Sequence, residues 1–365
     1  MLKPRCGRKP SGLRNSSSSR TGLARWFFAL LLFGLPLAEA QPTCVGVGDC
    51  DHGGVVTVEE LVKGVNIALG NATVDQCSAF DCHGDGHVTV DCLVQGVHGA
   101  LEGVTVGVNG TERIDVGGHK LNIKCIGSGE PTIVLDAGRG DNLDIWFAVQ
   151  PGIAGFTRVC AYDRAGYGKS DPGPLPRTSA QIVSELHALL TNSCLPGPYL
   201  FVGHSLGGLN IQLYARTYPQ EVAGLVFVDG RPPGFYDGLN AFDPPLPPEI
   251  YKLYVSCDDG TSPTSSAGSE CRSIATSESE VDAAGPLPDV PAVVFVAGQA
   301  DAGLPPVTAQ QMSDLWLQLQ MDLLHMLPHG TLNVVAECKH YIHLCRPDVI
   351  NGAVRNMVEG LRTNR

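Results

Sequence analysis

Residues 199–202 form a short apolar run that ends in Gly203-His204-Ser205-Leu206-Gly207, and Leu209-Asn-Ile-Gln-Leu-Tyr-Ala215 follows at helical spacing. A G-x-S-x-G pattern between a buried strand and a helix places its serine in a strained turn. Small residues flank the serine because that turn leaves no room for bulk. A glycine-rich turn with no chemistry would use the same residues. What separates the two readings is whether the chain also supplies a base and an acid downstream.

It supplies candidates for both. The apolar stretch 292–297 leads to Asp301, an acid just past the end of a buried strand, where catalytic groups of parallel sheets collect. Asp301 is the expected orienting acid. Asp229, ending Leu225-Val-Phe-Val-Asp, is its rival, with a plain turn or cap as the alternative role. His340 lies in Cys338-Lys-His-Tyr-Ile-His-Leu344, between a strand at 331–335 and the last helix, in a loop able to reach back over the sheet edge. His340 is the expected base. His343 is assigned to the core or the helix start, His204 sits too close to Ser205, and His325 and His329 fall in or after a helix. A tetrahedral intermediate needs N–H donors. The expected ones are the backbone N–H of Leu206 and, from Leu135-Asp-Ala-Gly-Arg-Gly-Asp141, that of Arg139.

From about residue 104 short strands alternate with helices. Strands are expected at 120–125, 132–136, 158–162, 199–202, 224–229, 292–297 and 331–335, and helices at 179–192, 206–217, 308–326 and 347–361. This alternation implies a mostly parallel sheet covered on both faces. Residues 231–290, rich in Pro, Ser, Asp and Gly, interrupt it and read as an ordered cap stapled by Cys257 and Cys271.

With these residues in place, the chain resembles the serine hydrolases of the α/β-hydrolase fold over about 118–361. The resemblance rests on Asp136–Gly140, Cys160-Ala-Tyr-Asp-Arg-Ala-Gly-Tyr-Gly-Lys-Ser170, the turn 203–207, the strand 291–301 and the loop 339–344. It implies an eight-stranded sheet and a Ser205, Asp301, His340 triad. It also implies neighbouring strands for Cys125 and Cys160, hence a disulfide between them. Two positions depart from the pattern: Ala137-Gly138 stands for the usual His-Gly of the oxyanion loop, and Lys339 for the glycine before the histidine. Members with aspartate at the elbow are dehalogenases or epoxide hydrolases, so Ser205 argues against both. Ester, thioester, lactone and amide hydrolysis stay open.

Seven basic residues up to Arg25 precede the apolar stretch 26–37 and Ala38-Glu39-Ala40, the layout of a secretory signal peptide over 1–40. Removing these seven bases and Glu39 from totals of 25 and 37 leaves 18 bases and 36 acids, a formal charge of −18. Such a surface repels nucleic acid and anionic membranes. Twelve of the thirteen cysteines remain, an even number suited to an oxidising compartment. Cys257 with Cys271 and Cys338 with Cys345 are local candidate pairs; free thiols stay open. No membrane span is expected after cleavage, and localisation is expected to be secreted or periplasmic.

Between 41 and 103 a unit repeats at 32 residues, from Asp49 to Asp81. Each copy runs into an apolar pattern, Leu61, Val65, Ala68 and Leu69 in one and Leu93, Val97, Ala100 and Leu101 in the other, expected to pack together. The copies resemble paired calcium loops of the EF-hand or dockerin kind. The resemblance implies Asp49, Asp51, the Val55 carbonyl, Thr57 and Glu60 as ligands in the first loop. In the second it implies Asp81, Asp85, the His87 carbonyl and Thr89. Gly53, His83 and Cys92 stand where ligands are usual; a disulfide-held module without metal, built on Cys44, Cys50, Cys77, Cys82 and Cys92, is the alternative. The expected whole, with domain 104–365 after the module, is a secreted serine esterase. It acts on a small acyl substrate, needs no catalytic cofactor, and carries possible calcium and an extracellular partner at the module. A binding protein with an inactive hydrolase fold is the alternative, and a fluorophosphonate probe separates the two.

Overall fold

The computed structural model describes residues 47–363 apart from 52–55, 83–84, 103–107, 258–259 and 301–303. The segment 1–40, Val55 and Asp301 lie outside the described residues. The 32-residue repeat becomes two helices, α1 (Val58–Ala68) and α2 (Val90–Glu102). Thr57 caps α1: its side chain accepts from Glu60 N, while Glu60 accepts from Thr57 N. Phe80 is completely buried beside both helices. An added Cβ would come within 2.6 Å of its ring at Gly64 and 2.5 Å at Gly96, so both helices present glycine to one aromatic ring. This corrects the expected packing. Val65, Leu69, Val97 and Leu101 stay exposed, because the contact runs through Gly64 and Gly96, with Leu61 and Leu93 beside it.

Eight strands follow: β1 (Gly110–Asp115), β2 (Lys120–Ile126), β3 (Ile133–Asp136), β4 (Val159–Tyr162), β5 (Tyr199–His204), β6 (Val222–Val228), β7 (Ala292–Ala297) and β8 (Gly330–Val335). They form one sheet in the order β1-β2-β4-β3-β5-β6-β7-β8. Strands β3 to β6 are buried at every position, so only the covered centre of a sheet can hold them. Their pairings, and those on to β8, are parallel; β1 and β2 join antiparallel at one edge. Alternate residues face opposite layers. Phe201, Leu225 and Phe227 pack with Leu186 and Leu189 of α4 (Ser179–Asn192) and Leu209 and Leu213 of α5 (Leu206–Thr217). On the other face Leu200, Val202 and Val226 meet Trp146 and Ile153, the latter on α3 (Gln150–Ala154), together with helix residues 350, 354 and 358.

The segment 231–290 carries four helices among its described residues: α6 (Phe235–Asn240), α7 (Pro248–Tyr254), α8 (Ser266–Arg272) and α9 (Ile274–Ala283). Its serines and acids are structural partners. The backbone N–H of Ser179 donates to Ser277 Oγ (2.9 Å) and that of Ala180 to Glu280 Oε2 (2.8 Å), which satisfies amides that α4 leaves open at its start. Arg177 N donates to Ser269 Oγ at 2.9 Å. The fold closes with α10 (Pro306–His325), α11 (Ile342–Cys345) and α12 (Pro347–Thr363). No helix of the described residues is long and apolar enough to cross a membrane.

The three expected disulfides are present: Cys125–Cys160 across directly paired positions of β2 and β4, Cys257–Cys271, and Cys338–Cys345. Cys50–Cys77 and Cys82–Cys92 hold the repeat.

His343 on α11 has no exposed surface and lies against Trp146, ring centroids 4.7 Å apart. Burial, with His340 nearby, pushes its imidazole down to about 3. An unfolded chain takes up a proton near the ordinary value of 6.5, whereas folded His343 stays neutral until about pH 3. Folding is therefore favoured fully above pH 6.5, and stability drains away below it by up to about 1.4 kcal/mol per pH unit. Denaturation midpoints measured from pH 7 to pH 4 should fall in the wild type and fall less steeply in His343→Leu. Equal slopes would remove His343 as the cause.

Candidate active site

Ser205 joins β5 to α5 with φ 50° and ψ −118°, a backbone state that L residues rarely adopt. Close approach of the chain dictates the glycines around it. A Cβ at Gly203 would lie 2.5 Å from Gly207 O, and one at Gly207 would lie 2.2 Å from Asp136 O. The turn is held from outside, because Ser205 O accepts from Gly208 N (2.9 Å) and Arg231 N (2.7 Å).

His340 stands in the loop between β8 and α11, within the ring closed by Cys338–Cys345. Its Nδ1 lies 2.7 Å from Asp229 Oδ2. A carboxylate accepts, so Nδ1 carries the proton and Nε2 is left with a lone pair, the tautomer a general base requires. Asp229 follows β6 directly, at φ 46°, and is buried. Its second oxygen accepts from Ala297 N and Trp316 Nε1, both at 2.9 Å. Ser205, His340 and Asp229 all line one cavity of about 570 Å³. Beneath them His204 Nε2 donates to the backbone carbonyl of His340 (3.1 Å), fixing the loop that carries His340. Burial, then the neighbouring His340 and His343, pushes the His204 imidazole well below its ordinary value, so it adds no charge under the site.

The α/β hydrolase fold family matches residues 131–258. A haloalkane dehalogenase loop variant from Bradyrhizobium elkanii has a similar structure, with TM-score 0.51 and 16% identity, covering 70% of this chain and 97% of that one. Cfl2 of Burkholderia cenocepacia gives TM-score 0.52 and 19% identity, covering 68% and 95%. The fold is that of the α/β hydrolases. In sequence, a pimeloyl-[acyl-carrier protein] methyl ester esterase from Sodalis glossinidius is 36% identical over 112 residues, 31% of this chain and 41% of that protein. The uncharacterized protein YqjL of Bacillus subtilis is 37% identical over 103 residues, 28% of this chain and 41% of its own length. The matched region covers less than half of each of these two relatives.

In this α/β-hydrolase fold the loop after β3 is shaped by a buried cation. Arg164 donates from Nη1 to Ala137 O (2.6 Å) and from Nη2 to Gly138 O (2.7 Å), while Asp136 and Glu270 balance its charge. Burial alone would pull the guanidinium down; Glu270 and Asp136 hold it well above its ordinary value. A trans peptide aims its N–H opposite to its C=O. The N–H of Arg139 therefore points away from Arg164, and Arg139 lines the cavity. Leu206 is the first residue of α5, where an N–H has no intrahelical acceptor.

Asp301 lies outside the described residues, and the carboxylate that meets His340 is the rival, Asp229. Sequence reading weighed two acids at the ends of adjacent strands and chose by strand pattern alone. The available signal was position: Asp229 abuts its strand directly, while Asp301 comes four residues after β7 ends. In the repeat, Asp49, Asp51 and Glu60 bring carboxylate oxygens within 4.8 Å of one another. Glu60 is already engaged: burial works against its charge, but the amides of Thr57, Cys50 and Asp51 hold its carboxyl below the ordinary value. In the second loop Asp81 accepts from Asp85 N and Gly86 N, His87 N donates to Asp85 Oδ1, and Thr89 bonds Asp91. Cys92 is tied to Cys82, so the last ligand position there has no acid to offer.

Asp229→Asn should lower kcat/KM on an ester by about three to four orders of magnitude, through loss of imidazole orientation. Asp301→Asn should stay near the wild type. The reverse ranking in steady-state kinetics would return the acid to the loop after β7.

Proposed function

We propose that the protein is a secreted serine hydrolase that cleaves a carboxylic ester through an acyl-enzyme. The observation that carries this reading is the His340–Asp229 bond, which puts the proton on Nδ1 and so leaves Nε2 the basic nitrogen, in the cavity that also holds the strained Ser205. Ser205 Oγ attacks the substrate carbonyl while His340 Nε2 takes its proton, and Asp229 stabilises the imidazolium formed. The N–H groups of Leu206 and Arg139 receive the negative charge on the carbonyl oxygen. His340 then protonates the leaving alcohol. Water, activated by the same imidazole, releases the acid and restores Ser205.

The cavity wall supports a small substrate with an apolar part, since Phe235, Ile274, Met312, Leu317 and Val334 line it. The basic and apolar segment before residue 41 supports export, as do the disulfides. For the repeat we propose a calcium ion on Asp49, Asp51 and Glu60, outside the chemical steps, and an extracellular protein partner. Calorimetry on the full chain should detect calcium binding that Asp49→Asn abolishes. No heat at millimolar calcium would leave the repeat as a disulfide-held spacer.

A fluorophosphonate probe should label the wild type at Ser205, and Ser205→Ala should lose both label and turnover while keeping its melting temperature within a few degrees, because the change removes chemistry and little packing. A wild type that takes no label on a folded chain would favour a binding protein with an inactive hydrolase fold.

A further inference from the structure

Helix α10 grips the end of β6 with two side chains one helical turn apart. Trp316 Nε1 donates to Asp229 Oδ1 at 2.9 Å, and the fully buried Gln320 donates from Nε2 to Gly230 O at 2.6 Å. The Trp316 ring also faces two ways. It meets the Phe235 ring of the cap edge-on, centroids 4.7 Å apart, and lies 6.2 Å from the His340 ring. Phe235 and Met312 form an apolar cluster with Leu239, Leu246 and Val255, against which Trp316 packs, so this one indole touches the cap, the cavity and the acid.

We infer that Trp316 is a positioning residue: its indole N–H sets the rotamer of Asp229 and the charge that Asp229 Oδ2 presents to His340, independently of the cap contact that the same ring makes with Phe235. The inference rests on the triad reading of Ser205, His340 and Asp229. A hydrogen bond donated to Oδ1 draws charge away from the oxygen that faces His340. Removing it leaves more negative charge on Oδ2, which favours the imidazolium and raises the pH at which His340 becomes a base. Among the described residues, the titratable groups facing His340 include His204 from β5, Asp141 from the loop after β3, and Tyr341 and His343 from its own segment, and Arg139 and Arg231 line the same cavity. Asp314, also on α10, lines the same cavity. None of these is altered by a change at Trp316 that keeps its bulk.

Trp316→Phe removes the donor and keeps an apolar ring. Its kcat should fall about tenfold, the size of one lost hydrogen bond. The acid limb of its kcat/KM profile should move up by about half a pH unit. The low-field proton NMR signal of His340 Nδ1–H gives a readout independent of turnover, and its titration should move the same way. Phe235→Leu loosens the cap contact but keeps the donor, so it should raise KM and leave the limb in place. Should Trp316→Phe not fold, 3-benzothienylalanine at 316 keeps the bicyclic shape and replaces N–H by sulfur. An unmoved limb and an unmoved NMR titration in the donor-free protein would overturn the inference, as would an equal shift in Phe235→Leu. A wild type that takes no fluorophosphonate label would instead sink the triad reading, which the NMR titration does not depend on.

Discussion

The buried guanidinium of Arg164 is the constraint around which the site is assembled. An isolated charge with 2% side-chain exposure is not tolerable in a protein interior, so every donor must find a partner. The partners come from three separate places: Asp136 at the end of β3, the carbonyls of residues 137 and 138, and Glu270 of the cap. Tyr162 and Asn210 complete Asp136, and Tyr167 completes Glu270. Satisfying one cation thus fixes the carbonyls of the loop after β3 and seats α8 of the cap over the sheet. Loop conformation and cap closure depend on the same electrostatic requirement.

The parts legible in the sequence were those set by local rules. The turn at Ser205 follows from backbone sterics, and all seven expected strands fall within two residues of their ends because unbroken apolar runs have one home in a doubly covered sheet. Strand β1, Gly-Thr-Glu-Arg-Ile-Asp, was not legible: it is an edge strand with most positions open to solvent, and its alternation is too weak to stand out. The cap helices were hidden for a different reason. Their serines and glutamates look like solvated low-complexity sequence, yet Ser269, Ser277, Glu270 and Glu278 are buried as partners for groups far away in the chain.

The choice of acid shows where local rules stop. Both β6 and β7 lead to an aspartate, and either loop borders the same sheet edge. What decides between them is three-dimensional: the amide of Ala297, at the end of β7, donates to Asp229, so the later strand orients the earlier strand's carboxylate. The repeat misled in a comparable way. Its valines and leucines have the spacing of a buried stripe, but two glycines pressed on Phe80 set the contact and leave Val65, Leu69, Val97 and Leu101 outside.

Under the proposed chemistry, an acid at the end of β6 changes what the loop after β7 has to do. Gln299, Ala300 and Leu304 border the cavity, and nothing in the His340–Asp229 pair draws on their side chains. Specificity and chemistry are then written on separate stretches of chain. Residues in this loop can drift in size and polarity without cost to the proton relay, and a lineage carrying this arrangement can change what it accepts while keeping how it reacts.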